Sequence, residues 1–138
     1  MKYPGDKHDK EQIFLTPPNI LKQYDGWMDP CPHPRPDGFD GLQVEWGEKA
    51  FVNPPWGHIR PRVEKALVQR SKGCCVHMLI AAKPTTRVFQ DLIFPNADVE
   101  WLRGRVPYHR VRDQKTVSLE SCMVRFIPSS ASGAVDEV

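Results

Sequence analysis

No apolar run in this chain approaches the roughly 18 residues of a membrane-spanning helix. The opening Met1-Lys2-Tyr3-Pro4-Gly5-Asp6-Lys7-His8 also lacks the apolar centre of a signal peptide. These absences predict a soluble, cytoplasmic protein without a membrane partner. The 4 cysteines, at positions 31, 74, 75 and 122, show no Cys-x-x-Cys spacing. Cys74 and Cys75, adjacent on a predicted strand, point to opposite faces, so reduced thiols and no metal are expected. A large excess of one charge is missing too: the formal net charge is +2. Any nucleic-acid contact must therefore come from local clustering of basic residues. There is no Ser-His-Asp order, no paired-carboxylate site and no phosphate-cradling glycine loop, which sets aside the common hydrolase and nucleotide-triphosphate chemistries.

What the chain does have is proline, 14 of them in 138 residues, alongside 40% hydrophobic residues. That length and composition fit one domain with a real core, many turns and short elements. Polar residues 1–12 and the Ser-, Ala-, Gly- and acid-rich residues 129–138 read as flexible tails around a domain at 13–128. Thr16 is expected to cap a short helix that has Pro17 and Pro18 in its first turn. Trp27-Met28 reads as a short strand and Leu42 to Trp46, with its alternating pattern, as another. Ala50-Phe51-Val52 is a strand, and Ile59, Val63, Ala66 and Leu67 mark a helix to about Arg70. The apolar run Cys74 to Ala82 reads as a strand covered on both faces. A helix capped by Thr85 or Thr86 and a strand over Val99 to Leu102 follow. After them come a loop from Arg103 to Lys115 and a last strand at Cys122, Val124 and Phe126. This order predicts an α/β fold of around five strands, with right-handed crossovers and helices on both faces.

Chemistry concentrates in Phe51-Val52-Asn53-Pro54-Pro55-Trp56-Gly57. A strand delivers Asn53 into two prolines that fix their own φ angles and hold Asn53 out of the helical region. The stiff turn then offers an amide oxygen, backbone carbonyls and an indole face. In adenine the N6 lone pair is delocalised into the ring, and acceptors drawing on both N6 hydrogens localise it. Asn53 Oδ1 and the Pro54 carbonyl suit that role, Pro55 is the rigid joint, and Trp56 can stack on the ring for about 1–3 kcal/mol. A methyl group held in line, as in S-adenosylmethionine, can then transfer directly, with positioning supplying most of the rate.

From Phe14 to Pro128 the chain resembles the small phage-type, Dam-like DNA N6-adenine methyltransferases. Phe14-Leu15-Thr16-Pro17 is similar to their opening Thr-Pro segment, and Trp27-Met28-Asp29-Pro30-Cys31 to their first-strand end beside the cofactor. Asp40-Gly41-Leu42 with Trp46 resembles the segment before the catalytic strand. Asn53-Pro54-Pro55-Trp56 matches their Asn-Pro-Pro-aromatic loop, and Val63-Glu64-Lys65-Ala66 the helix after it. Thr85-Thr86-Arg87 with Phe89 and Leu102-Arg103-Gly104-Arg105 resemble later segments. The resemblance implies a minimal, truncated Rossmann-like sheet that binds S-adenosylmethionine through Thr16, Pro17, Asp29, Pro30, Cys31 and Asp40. It also implies methylation of adenine in DNA, in a host cytoplasm if the chain is phage-encoded.

Arg103, Arg105, Arg110, Arg112 and Lys115, opposed by Asp113, are expected to clamp DNA phosphates. A metal built from Cys31, His33, Cys74, Cys75, His77 or Cys122 is not expected. Two departures from the family pattern favour a different reading, a non-catalytic DNA-binding or interaction protein derived from the same fold. The stretch from Asp29 to Asn53 is short, and Cys31-Pro32-His33-Pro34-Arg35-Pro36 stands where a glycine loop is expected. The turn also suits other planar nitrogens, such as an RNA base or a protein glutamine. No pattern argues for a particular oligomeric state.

Overall fold

A computed structural model describes residues 13–128; the two tails expected at 1–12 and 129–138 lie outside the described residues. Five strands form one mixed sheet: β1 (Phe14–Leu15), β2 (Lys49–Val52), β3 (Cys75–Ala81), β4 (Asp98–Arg110) and β5 (Lys115–Phe126), in the spatial order β1-β4-β5-β3-β2. β2 and β3 run parallel, with Val52 opposite Met78. Their connection is the helix α2 (Ile59–Ser71), long enough for the crossover a parallel pair requires. The other pairings, β1 with β4, β4 with β5 and β3 with β5, are antiparallel. The fold is therefore mixed α/β with one parallel unit, rather than a run of crossovers.

Alternation along β3 assigns the two faces. Val76, Met78 and Ile80 join Val52, Val63, Ala66, Val124 and Phe126 in a buried core under α2. Leu79 points the other way, into a second core with Phe51, Tyr108, Met123 and Tyr24. The second face is covered by α1 (Pro18–Leu21) and the tight turn Lys22–Tyr24 after it, so helical segments do lie on both faces. Each fully buried Val, Ile or Met of this kind contributes about 1.5–3 kcal/mol. Among the described residues no helix is long and apolar enough to cross a membrane.

Several expected elements take other forms. Trp27-Met28 contributes only a single parallel bridge, Met28 to Ala50. Leu42 to Trp46 is not a strand. Asp40 Oδ1 accepts from Leu42 N at 2.9 Å and starts a 3-10 turn over Gly41–Gln43, while Trp46 N donates to Gln69 Oε1 of α2 at 2.8 Å. With those backbone donors taken by side chains, the segment has no ladder to join. Trp46 is fully buried and its indole N–H donates to Gly41 O at 2.9 Å. Gly41 also lies so close to Pro30 that an added Cβ would stand 1.9 Å from the Pro30 oxygen. Only glycine fits there.

The helix expected after Thr85 or Thr86 is a π-helical segment, Val88–Ile93, without a side-chain cap. Thr86 Oγ1 instead donates to Lys83 O at 2.8 Å, and Phe94 N reaches back five residues to Phe89 O. The segment from Arg103 to Arg110 is strand, not loop. β4 continues through a bulge between Trp101 and Arg105, where Gly104 takes φ +72°, and β5 begins at Lys115. A wide bulge lets one strand pass an irregular stretch and resume pairing. Thr16 does not cap α1, because the cap position is Pro17 and carries no side-chain bond.

Candidate active site

The chain leaves β2 at Val52 and enters the proline turn. Pro54 and Pro55 are buried, and His58 N donates to Pro55 O at 2.9 Å, closing a 3-10 turn over Trp56–His58 that feeds directly into α2. Two fixed φ angles followed by a helix leave this corner little freedom. Asn53 is consequently held against β1. Its Nδ2 donates to Phe14 O at 2.6 Å and to Thr16 Oγ1 at 2.9 Å. The Phe14 carbonyl can only accept, which fixes the orientation of the amide. Asn53 Oδ1 thereby faces away, and it is a buried acceptor with no hydrogen-bond partner among the described residues. Such an atom costs about 1–3 kcal/mol, and natural folds keep few of them.

Asn53, Pro54 and Pro55 line one wall of a pocket of about 300 Å³. Thr16, Asp29, Cys31 and Arg35 supply its polar groups, and Phe14, Leu21 and Phe51 its apolar ones. The pocket thus joins the proline turn to the Asp-Pro-Cys segment at the carboxyl end of β2. Asp29 meets solvent through the pocket, while protein packed behind it desolvates the carboxyl and raises its pKa. The Cys31 N–H, donating to Asp29 Oδ1 at 2.9 Å, opposes that rise. Arg35 Nη1 donates to Phe39 O at 2.8 Å, which sets the guanidinium at the rim.

Of the residues expected to bind a cofactor, Thr16, Asp29 and Cys31 line this pocket, whereas Pro17, Pro30 and Asp40 do not border it. Pro30 abuts Gly41, and Asp40 caps the turn beside it. His33 and Arg35 also line it; the sequence offers His33 only as part of a proline-filled loop and of an unexpected metal set, and Arg35, the one arginine or lysine of that loop, is the available signal. Trp56 stands outside the pocket. One side packs on Phe14 (ring centroids 4.8 Å apart) and Tyr108 meets it edge-on at 5.3 Å, and its buried Nε1 has no partner. Asn53 thus holds the backbone of Phe14 and Trp56 its ring.

The expected phosphate clamp divides in two. Arg103 and Arg105 are exposed on β4 around the bulge, and among the described residues neither makes an ion pair. Arg110 Nη2 holds Asp113 Oδ2 at 2.7 Å, Arg112 lies 3.9 Å from it, and the Lys115 N–H donates to Asp113 Oδ1. The Arg110 guanidinium brings the Asp113 carboxyl down to about 2. Among the described residues no group of three or more His, Cys, Asp or Glu side chains stands close enough to hold a metal. His77, half-buried on β3, shares a 2.9 Å hydrogen bond with Tyr24 OH, and burial pushes its pKa down to about 4. Compared with family models, with curated proteins and with solved structures, the chain matches none.

Proposed function

We propose that the chain is a minimal, Rossmann-like S-adenosylmethionine-dependent methyltransferase acting on the N6 amine of adenine in DNA. The observation that carries this reading is Asn53: an amide whose donor side is fully used and whose acceptor side is left unmatched, beside a pocket. A donor amine satisfies that acceptor, and with the Pro54 carbonyl it draws on both hydrogens of an exocyclic amine. The lone pair is then localised on nitrogen, where it can attack.

The donor set of the pocket fits the cofactor. Asp29 is the carboxylate for a cationic sulfur, Arg35 is the cation for a carboxylate, and Phe14, Leu21 and Phe51 give apolar walls for a purine. Bound there, S-adenosylmethionine would supply a sulfonium methyl group to the amine nitrogen, with sulfur retaining the C–S electron pair and the amine losing a proton. Asn53 and the prolines hold the amine in position; they form no covalent bond. Because adenine cannot meet a methyl donor inside the stack, it must be extruded from the duplex or taken from a single strand.

Titration calorimetry with S-adenosylmethionine, coupled to labelled-methyl transfer onto unmethylated DNA, RNA and protein lysate, tests this reading. A one-to-one endpoint with label in DNA is expected, and Asp29→Asn should weaken cofactor affinity about 10-fold by removing the charge that faces the sulfonium. Label in RNA or protein instead would change the substrate. One observation favours a second reading, that of a nucleic-acid-binding protein without transferase activity: Asn53 Oδ1 is buried away from solvent. Silence of the calorimeter at millimolar cofactor, with DNA binding retained, would establish it.

A further inference from the structure

Two grooves of about 480 and 410 Å³ meet on the far side of Phe14 from the Asp29 pocket, and Phe14, Trp56, Ala81 and Lys83 line both. One end runs past Arg60 at the start of α2, and the other reaches Arg110 on β4. The floor is aromatic and aliphatic, and the rim carries Lys83 and Arg60, with Glu120 and the Asp113-paired Arg110 at the other end. Lys83 stands where the two grooves join, exposed, and among the described residues it makes no ion pair. Among the described residues the ion pair of Arg60 is with Glu64 at 3.5 Å, with both side chains about half exposed, a contact a stronger anion can displace. Trp56, whose indole N–H is buried and among the described residues unmatched, lines the same groove.

We infer that this groove seats a single-stranded or locally unpaired stretch of nucleic acid. Its sugar-phosphate chain contacts Lys83 and Arg60, and unpaired bases lie on the Phe14–Trp56 floor. The inference rests on the methyltransferase reading for the position of the target base, but the groove's own chemistry argues for its occupant. A polyanion complements the rim, and flat apolar bases complement the floor. A closed duplex offers the phosphates without the bases. The assignment moves the principal nucleic-acid contact from the β4–β5 turn, where Asp113 already occupies the arginines, to Lys83 and Arg60.

Fluorescence anisotropy with a short labelled DNA strand, and with the same sequence as a duplex, tests this in rising salt. The intact chain should bind the single strand more tightly. Lys83→Gln should weaken it about 3–10-fold and lower the salt slope by about 0.7, the share of one phosphate contact on a single strand. Lys83→Arg should restore both, and Lys72→Gln, the same charge change at an ion pair with Glu45 at the far end of α2, should leave both unchanged. Equal affinity in Lys83→Gln and wild type would overturn the inference, as would an equal loss in Lys72→Gln. Preference for the duplex, or concentration-dependent self-association that Lys83→Gln abolishes without any strand binding, would overturn it too. If the cofactor binds and transfer proceeds while Lys83→Gln is neutral, the groove assignment alone fails. If the cofactor does not bind while the Lys83 effect persists, the methyl-transfer reading alone fails.

Discussion

The proline turn at Asn53 and the hairpin turn at Asp113 are both dense in polar groups, but they treat them in opposite ways. At the hairpin the side-chain partners are local: Arg110 grips Asp113 through two bonds, His109 meets Gln114 Oε1, and Gln114 Nε2 donates to Val111 O. The proline turn leaves an acceptor on Asn53 and a donor on Trp56 with no partner. A region that satisfies itself specifies a shape, while one that holds unmatched groups in place has room for a ligand. The density of charge in the sequence pointed to the hairpin, yet the unmatched atoms are at the turn.

Breaking the turn should have the larger effect. Asn53→Ala is expected to lower methyl transfer by about 100-fold or more, in the range found when one preorganised polar group is lost from a site. It should also cost roughly 1–2 kcal/mol in urea denaturation, since Phe14 O and Thr16 Oγ1 lose their donor. Full activity in this variant would sink the assignment of the amine acceptor.

An intermediate effect belongs to His77 on β3, which faces the second core. Its pKa is lowered from 6.5 to about 4 in the folded chain, chiefly by burial. The unfolded chain therefore takes up a proton near pH 6.5 that the folded chain refuses until about pH 4. Stability is full above that window, falls on the order of 2 kcal/mol as pH drops through it, and levels off below. Denaturation midpoints measured across this range check the slope, and His77→Gln should flatten it.

The smallest effect is expected at the hairpin. Asp113 is held at about 2, so its contribution is present above the ordinary carboxylate value of 3.8 and is lost as pH falls through about 2. The pair lies at the surface with both side chains about a quarter exposed, where solvent still screens it, and Asp113→Asn should move Tm by about 2 °C or less at neutral pH, shrinking further in high salt. A loss as large as that of Asn53→Ala would erase the contrast drawn here.

The elements legible from sequence are those whose own residues carry the pattern. β2, α2 and β3 follow their apolar spacing, and Asn53 to Trp56 follows its prolines. Segments whose form depends on a distant partner were not legible. The alternation from Leu42 to Trp46 reads as a strand until Gln69, from α2, takes the Trp46 N–H. Arg103-Gly104-Arg105 reads as a turn because a glycine between two arginines gives no hint that β5 resumes pairing beyond it. Of the site, the turn and its link to Asp29 were legible, but the part of Lys83 was not. A single lysine beside Pro84 has no signature until β3 places it next to Trp56.

The contact of Gly41 with the Pro30 oxygen has a consequence for how this chain can vary. It brings together the two feet of the segment Cys31–Asp40, which contributes Cys31, Pro32, His33 and Arg35 to the pocket wall. With both feet pinned, the intervening residues form a removable cassette: its length and composition can be exchanged to reshape one wall of the pocket while Trp46 and the floor beneath stay in place.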